Sequence, residues 1–210
     1  MSIKAVVFDL DGTLYDRKGL PRKLILRSLL HLRTLGAERT VRRVIAGTAY
    51  ESEEAFYDDF FRRIATAANS DREKVSNWYN NIYLPLMTSI LKKDYTIRPW
   101  VREVFTALRS KGIRTAVFSD YGFVREKLQA VDFDPAWADM VFDVPSLGGL
   151  KPCKECFDKV AAMLGLDNSE ILIVGDREDT DGEGARRAGM PFQLVDAETT
   201  AQDIYSRLFA

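Results

Sequence analysis

Three short apolar runs, each ending abruptly in polar residues that include an aspartate, constrain this chain more than any other feature. Ala5, Val6, Val7 and Phe8 lead into Asp9-Leu10-Asp11-Gly12-Thr13. Thr115, Ala116, Val117 and Phe118 lead into Ser119-Asp120, and Ile171, Leu172, Ile173 and Val174 lead into Gly175-Asp176. Near-continuous apolar stretches of this length read as strands covered on both faces, which is the mark of a parallel sheet. The carboxyl ends of such strands share one edge, where open α/β sheets bind ligands. Asp9, Asp11, Ser119, Asp120 and Asp176 are therefore expected to converge there. A single aspartate after a strand is an ordinary turn residue, but three at equivalent places are not. The Asp9/Asp11 pair is more pointed still, because two crowded carboxylates lose hydration and repel each other unless chemistry or a cation requires them.

After Pro99 the pattern alternates between helix and strand. Val101, Val104, Phe105 and Leu108 mark a helix, and others are expected around Val124 to Val131, over Phe157 to Leu164, around Glu183 to Ala188 and from Ala201. Strands are expected near Met140 to Val144 and Phe192 to Val195. This alternation predicts right-handed crossovers and a Rossmann-like doubly wound parallel sheet. Between the first two strands, about Arg17 to Tyr95, the segment reads as helices only. Pro21 suits a first turn and Gly36 a stop. Thr48 to Glu51 and Ser70 to Glu73 match capping boxes, and Pro85 should break or kink a helix. The expected organisation is a core of residues 1–15 and 97–210 with an inserted all-helical cap domain of residues 16–96.

Composition removes several classes of function. With 30 basic and 31 acidic residues, the chain has no overall field to hold nucleic acid or an anionic membrane. No apolar run approaches the roughly 20 residues that cross a bilayer, and the amino terminus enters strand sequence without a secretory signal pattern. A cytoplasmic location is expected. Cys153 and Cys156 form a C-x-x-C pair, which invites a redox reading. Two thiols cannot close a zinc site, and the only histidine, His31, is remote in sequence. The plainer reading puts both on the first turns of a helix starting near Pro152.

Asp9-Leu10-Asp11-Gly12-Thr13, Ser119, Lys151-Pro152 and Gly175-Asp176 through Asp181 resemble, in order, the four motifs of the haloacid dehalogenase-like hydrolase superfamily. The residue types suit phosphoryl transfer in their own right. A carboxylate can attack phosphorus and divide hydrolysis into two steps, and a neighbouring carboxyl in an acidic pocket should have a raised pKa and protonate the leaving oxygen. Several carboxylates facing a phosphate dianion also need a counter-cation, for which Mg²⁺ is suited. The resemblance implies Asp9 as nucleophile and metal ligand, Asp11 as general acid/base lending its backbone carbonyl to the metal, and Asp176 as a further metal ligand. Ser119 and Lys151 would bind the phosphoryl oxygens, and Asp181 would support the metal or its waters. An acid at position 11 favours phosphate esters over carbon–halogen bonds. Asp120 departs from the asparagine many relatives carry, and Trp100 from a small residue.

These readings lead to a Mg²⁺-dependent phosphatase of a small phosphorylated metabolite, acting through an aspartyl phosphate. Arg22, Lys23, Arg42, Arg43 and Tyr50 are the cap residues expected to meet substrate, if they do more than solvate helix faces. A phosphomutase would share the first half-reaction but withhold water. A phosphonate-cleaving enzyme would need Lys18 or Lys23 as a Schiff-base lysine. A non-catalytic phosphometabolite-binding module would usually have lost a nucleophile or ligand, and none is missing here.

Overall fold

A computed structural model describes residues 2–208. Five parallel strands lie in the order β3-β2-β1-β4-β5, with β1 Ala5–Phe8, β2 Arg114–Ser119, β3 Met140–Asp143, β4 Ile171–Gly175 and β5 Phe192–Leu194. β1 is central, and Phe8 is in register with Val117 on one side and Val174 on the other. This register is what levels the three acid-bearing strand ends.

Alternation along each strand sends side chains to opposite faces. Val6, Phe8, Val117 and Val174 face one side, where α6 (Val101–Ser110), α7 (Val124–Ala130) and α10 (Ala201–Leu208) pack. Ala5, Val7, Ala116, Phe118 and Ile173 face α8 (Lys154–Leu164) and α9 (Glu183–Ala188) on the other. The β1 side chains are at most 1 % exposed, and each buried Val or Phe contributes about 1.5–3 kcal/mol.

Between Gly12 and Pro99 the chain is helical: α1 (Leu20–Arg27), a 3₁₀ turn Leu29–His31, α2 (Leu32–Ile45), α3 (Glu53–Ala68), α4 (Arg72–Trp78) and α5 (Leu84–Asp94). The apolar cluster of this segment is continuous with the Val6/Phe8 face of the sheet, and α5 packs directly on α7.

Four local expectations are corrected. The Ser70 to Glu73 capping box does not form, because α4 begins after Asp71, which makes no side-chain capping bond. Gly36 does not stop a helix but lies within α2, and the break falls at Ser28. A helical glycine costs about 1 kcal/mol, which burial of Leu35, Val41 and Ile45 on the same helix outweighs. The helix after Gly47 is capped by Ser52, whose hydroxyl accepts from the Ala55 amide at 3.2 Å, and Thr48 does not serve as its cap. At Pro85 there is no break, because a π-helical turn, Tyr79–Tyr83, carries α4 into α5 and leaves Pro85 in the first turn of α5, where a missing amide costs nothing. Among the described residues no helix is long and apolar enough to cross a membrane.

Candidate active site

Asp9 leaves the end of β1 with its amide bonded to the Val174 carbonyl at 2.8 Å, so the backbone ladder itself aims its side chain at the sheet edge. One carboxylate oxygen accepts from Thr13 Oγ1 at 3.0 Å and the other from Lys151 Nζ at 2.6 Å. Lys151 Nζ also reaches Asp181 Oδ1 at 2.6 Å and the Phe118 carbonyl at 3.3 Å. Burial opposes the ammonium, but Asp181, Asp9 and Asp120 together hold Lys151 well above the usual lysine value. Its loop is pinned by the Lys151 amide, which donates to Asp120 Oδ1 at 2.9 Å. An aspartate after Ser119 therefore has a structural use here, anchoring the loop that carries the lysine.

Asp9, Asp176 and Asp181 each offer a carboxylate oxygen, all within 4.8 Å of one another. Burial, then the nearby Asp9, pushes Asp176 up to about 6, against the pull of Arg17, Lys151 and Arg177. Asp181 is pushed up to about 7, chiefly by burial, with Lys151 opposing. Two glycines make room for these groups. A Cβ at Gly12 would stand 2.1 Å from Asp176 Oδ2, and one at Gly175 would stand 2.4 Å from Asp181 Cγ. Three carboxyl groups this close, with Asp176 and Asp181 held back from ionising by burial, offer the hard oxygen donors that suit a divalent cation.

Asp11 behaves differently from the expectation. Its carboxylate accepts from the Tyr15 hydroxyl at 2.6 Å, from Ser119 Oγ at 2.8 Å, and forms an ion pair with Lys127. Burial pushes its pKa up, but the Lys127 charge and these three hydrogen bonds outweigh burial and bring it below the ordinary carboxylate value. The expected rise is thus reversed, because the pocket around this carboxyl is cationic where an acidic one was anticipated. Ser119 is fully buried, with its hydroxyl committed to Asp11 while accepting from the Tyr121 amide at 3.2 Å.

Asp9, Asp11, Asp120, Lys151, Asp176 and Asp181 line one cavity of about 70 Å³, with Ser119 just behind it. It opens beside a second space of about 270 Å³, walled by α1, α2, α5 and Tyr121, with Asp11, Arg17 and Tyr121 common to both. A larger groove of about 360 Å³ beside Trp100 and Thr200 brings together no group of carboxylates.

Neither of these two cavities is lined by Arg22, Lys23, Arg42, Arg43 or Tyr50. Lys23 pairs with Asp94 at 3.0 Å, and the Tyr50 hydroxyl donates to Asp59 at 2.7 Å. Arg22 and Arg43 lie on the surface. Arg42 is a half-buried strut that pairs with Glu38, donates to the Asp120 carbonyl at 2.9 Å and to the Tyr79 hydroxyl at 2.7 Å, and stacks on Tyr121. It ties α2 to the loop after β2.

The residues missed from the sequence are Tyr15, Arg17 and Lys127. Lys127 left a signal: it falls on the apolar stripe Val124, Leu128, Val131, where a lysine needs a buried partner. Cys153 and Cys156 are buried at the start of α8, as the plainer reading has it.

The family model for haloacid dehalogenase-like hydrolases matches residues 3–189. The chain is 28 % identical over 212 residues to a glyceraldehyde 3-phosphate phosphatase of Methanothermobacter thermautotrophicus, covering 94 % of this chain and 88 % of that protein. It is 28 % identical over 198 residues to a phosphoglycolate phosphatase of Aquifex aeolicus, covering 92 % of this chain and 84 % of that protein. In fold it is similar to a Bacillus subtilis HAD-hydrolase crystallised with magnesium (TM-score 0.68, 14 % identity, all of both chains).

Proposed function

The chain belongs to the haloacid dehalogenase-like hydrolases, and on that premise we propose that it is a phosphatase that hydrolyses a small phosphorylated metabolite through an aspartyl-phosphate intermediate at Asp9. The observation that carries this reading is the bridge made by Lys151 between Asp9 and Asp181, at 2.6 Å to each, beside Asp176. A nucleophile, a fixed cation and a set of hard oxygen ligands meet in one small cavity.

Asp9, Asp176 and Asp181 would hold Mg²⁺, with the Asp11 backbone carbonyl as a further ligand, and Mg²⁺ would supply charge compensation for the phosphate dianion. An Asp9 oxygen attacks phosphorus as the bond to the leaving oxygen breaks, giving the acyl phosphate and the alcohol. The Lys151 ammonium faces the transferring oxygens as a compact point charge that needs no reorganisation. Ser119 adds its hydroxyl when it turns from Asp11.

Asp11 is the acid and base of the two halves. As the carboxylate that Lys127 and Tyr15 favour, it takes the proton from the water that cleaves the acyl phosphate. A phosphate dianion entering beside it raises its proton affinity and produces the acid form needed for departure of the alcohol.

Residues 16–96 would act as a cap over this edge, excluding bulk water while the acyl phosphate exists. Burial of two unpaired thiols, Cys153 and Cys156, agrees with a reducing, cytoplasmic setting.

The test is phosphate release from p-nitrophenyl phosphate and a panel of phosphorylated metabolites, with Mg²⁺ or EDTA. Turnover should require Mg²⁺ and fall at least about 10³-fold in Asp9→Asn, with unchanged circular dichroism. An Asp9→Asn enzyme that keeps its rate would refute the mechanism. Phosphoryl exchange between substrates without net phosphate release would favour the mutase.

A further inference from the structure

We infer that the corner where α1 gives way to α2 is a docking surface for an anionic lipid bilayer, on which the protein binds reversibly from one side. This goes beyond the phosphatase reading and does not depend on it.

Leu20 and Leu24 of α1 are buried and line the second cavity. A short surface helix whose apolar residues are seated in this way is ordinarily polar on its outer side. Here the end of α1 and the 3₁₀ turn after it carry Leu26, Leu29 and Leu30, which are 59 %, 62 % and 95 % exposed, with Ile25 and Leu32 exposed beside them. A single exposed leucine needs no explanation, but this many within residues 25–32 mark an interaction surface.

Charge decides the occupant. No acidic residue lies between Asp16 and Glu38, whereas Arg22, Arg27 and Arg33 stand exposed among these apolar side chains. None of the three makes a salt bridge among the described residues. Glu38 is 0 % exposed and pairs with Arg42. Asp94, which approaches from α5, is already paired with Lys23 at 3.0 Å and has Lys93 and Arg27 close by. The corner is therefore positive, which the balanced total of 30 basic and 31 acidic residues conceals. Leucines set among arginines suit the boundary of an anionic bilayer: the apolar tips enter the acyl region while the guanidinium groups stay with the lipid phosphates. A second copy of this chain fits less well, because a two-fold contact would set the same arginines against each other.

Co-sedimentation of the full chain with vesicles of phosphatidylcholine alone, or of equal parts phosphatidylcholine and phosphatidylglycerol, tests this. Wild type should bind the anionic vesicles at least about tenfold more tightly than the neutral ones, with a smaller difference at high salt. Leu29→Ser combined with Leu30→Ser should weaken that binding at least about tenfold. Arg27→Gln combined with Arg33→Gln should weaken it and flatten its salt dependence. All four positions are exposed, so both variants should keep the wild-type circular dichroism and unfolding midpoint, which separates a lost surface from a lost fold. No binding to anionic vesicles, equal binding to both kinds, or binding that the folded leucine variant retains in full overturns the assignment. A dimer in sedimentation equilibrium that the leucine variant dissociates, without vesicle binding, also overturns it and gives this face to a second copy.

Discussion

Replacing Lys127 with methionine isolates the feature of the site least expected from its motifs. Lys127 is 0 % exposed and its ammonium is set against Asp11, whose side chain is 12 % exposed. Methionine keeps most of the aliphatic stem, so packing in α7 changes little and the lost charge dominates. Removing one partner of a buried ion pair costs about 3–5 kcal/mol. Tyr15 and Ser119 still donate to Asp11, and a hydrogen bond to a charged group contributes about 1.5–3 kcal/mol, which places the expected loss near the lower bound, about 3 kcal/mol at pH 7. The pH dependence is the sharper signature. In the wild type the Asp11 pKa is depressed below 3.8, so its contribution is present above that value and lost only as pH falls through the native pKa. Without Lys127 burial dominates and the native pKa rises above the unfolded one. The variant is then favoured below the unfolded pKa and loses stability as pH climbs, by up to about 1.4 kcal/mol per unit until the raised pKa is passed. Urea unfolding in EDTA, followed by tryptophan fluorescence at pH 5 and 7, should show a deficit that widens from the lower pH to the higher. A deficit below about 1 kcal/mol at pH 7, or one equal at both pH values, would refute the reasoning.

Gly12→Ala should weaken divalent-cation binding before it unfolds the protein. Its φ of +113° and the 2.1 Å approach of a Cβ to Asp176 Oδ2 force both strain and a displaced carboxylate, at roughly 1–3 kcal/mol of stability, and Mg²⁺ titration calorimetry should read the loss of affinity directly. Mg²⁺ affinity of the wild type should itself fall as pH drops below the value of about 6 that burial and Asp9 give Asp176 in the metal-free protein, by up to about tenfold per pH unit per proton displaced. Equal affinities at pH 5 and 7 would show that Asp176 is already ionised or is no ligand. By the same sign, a group whose native pKa is raised adds stability to the metal-free protein below its unfolded pKa, and this fades as pH rises through about 6.

What could be read from the sequence was whatever is written locally. Asp9, Asp176 and the Ser119 edge were legible because each ends a strand whose apolar run is its own signal, and the parallel sheet levels such ends automatically. Thr13 on Asp9 and Tyr15 on Asp11 lie four residues from their partners, yet nothing in their spacing distinguishes them from ordinary turn residues. The helix boundaries failed where propensity competed with burial. Gly36 stayed helical because Leu35 and Val41 had a core to enter, and Ser52 displaced Thr48 as a cap.

The sequence by itself determined the strand ends, their acids and the long helical interruption, because periodicity and chain order suffice for these. Only the tertiary structure decided the charge environment of each acid. Lys127 lies 116 residues from Asp11 and Lys151 lies 142 from Asp9. Which carboxyl meets an ammonium at short range depends on how α7 and the loop before α8 seat on the sheet. Coulomb energy and desolvation follow distance in space and not along the chain, so two aspartates separated by one residue end with one carboxyl held ionised by Lys127 and the other held by Lys151, which it shares with Asp181.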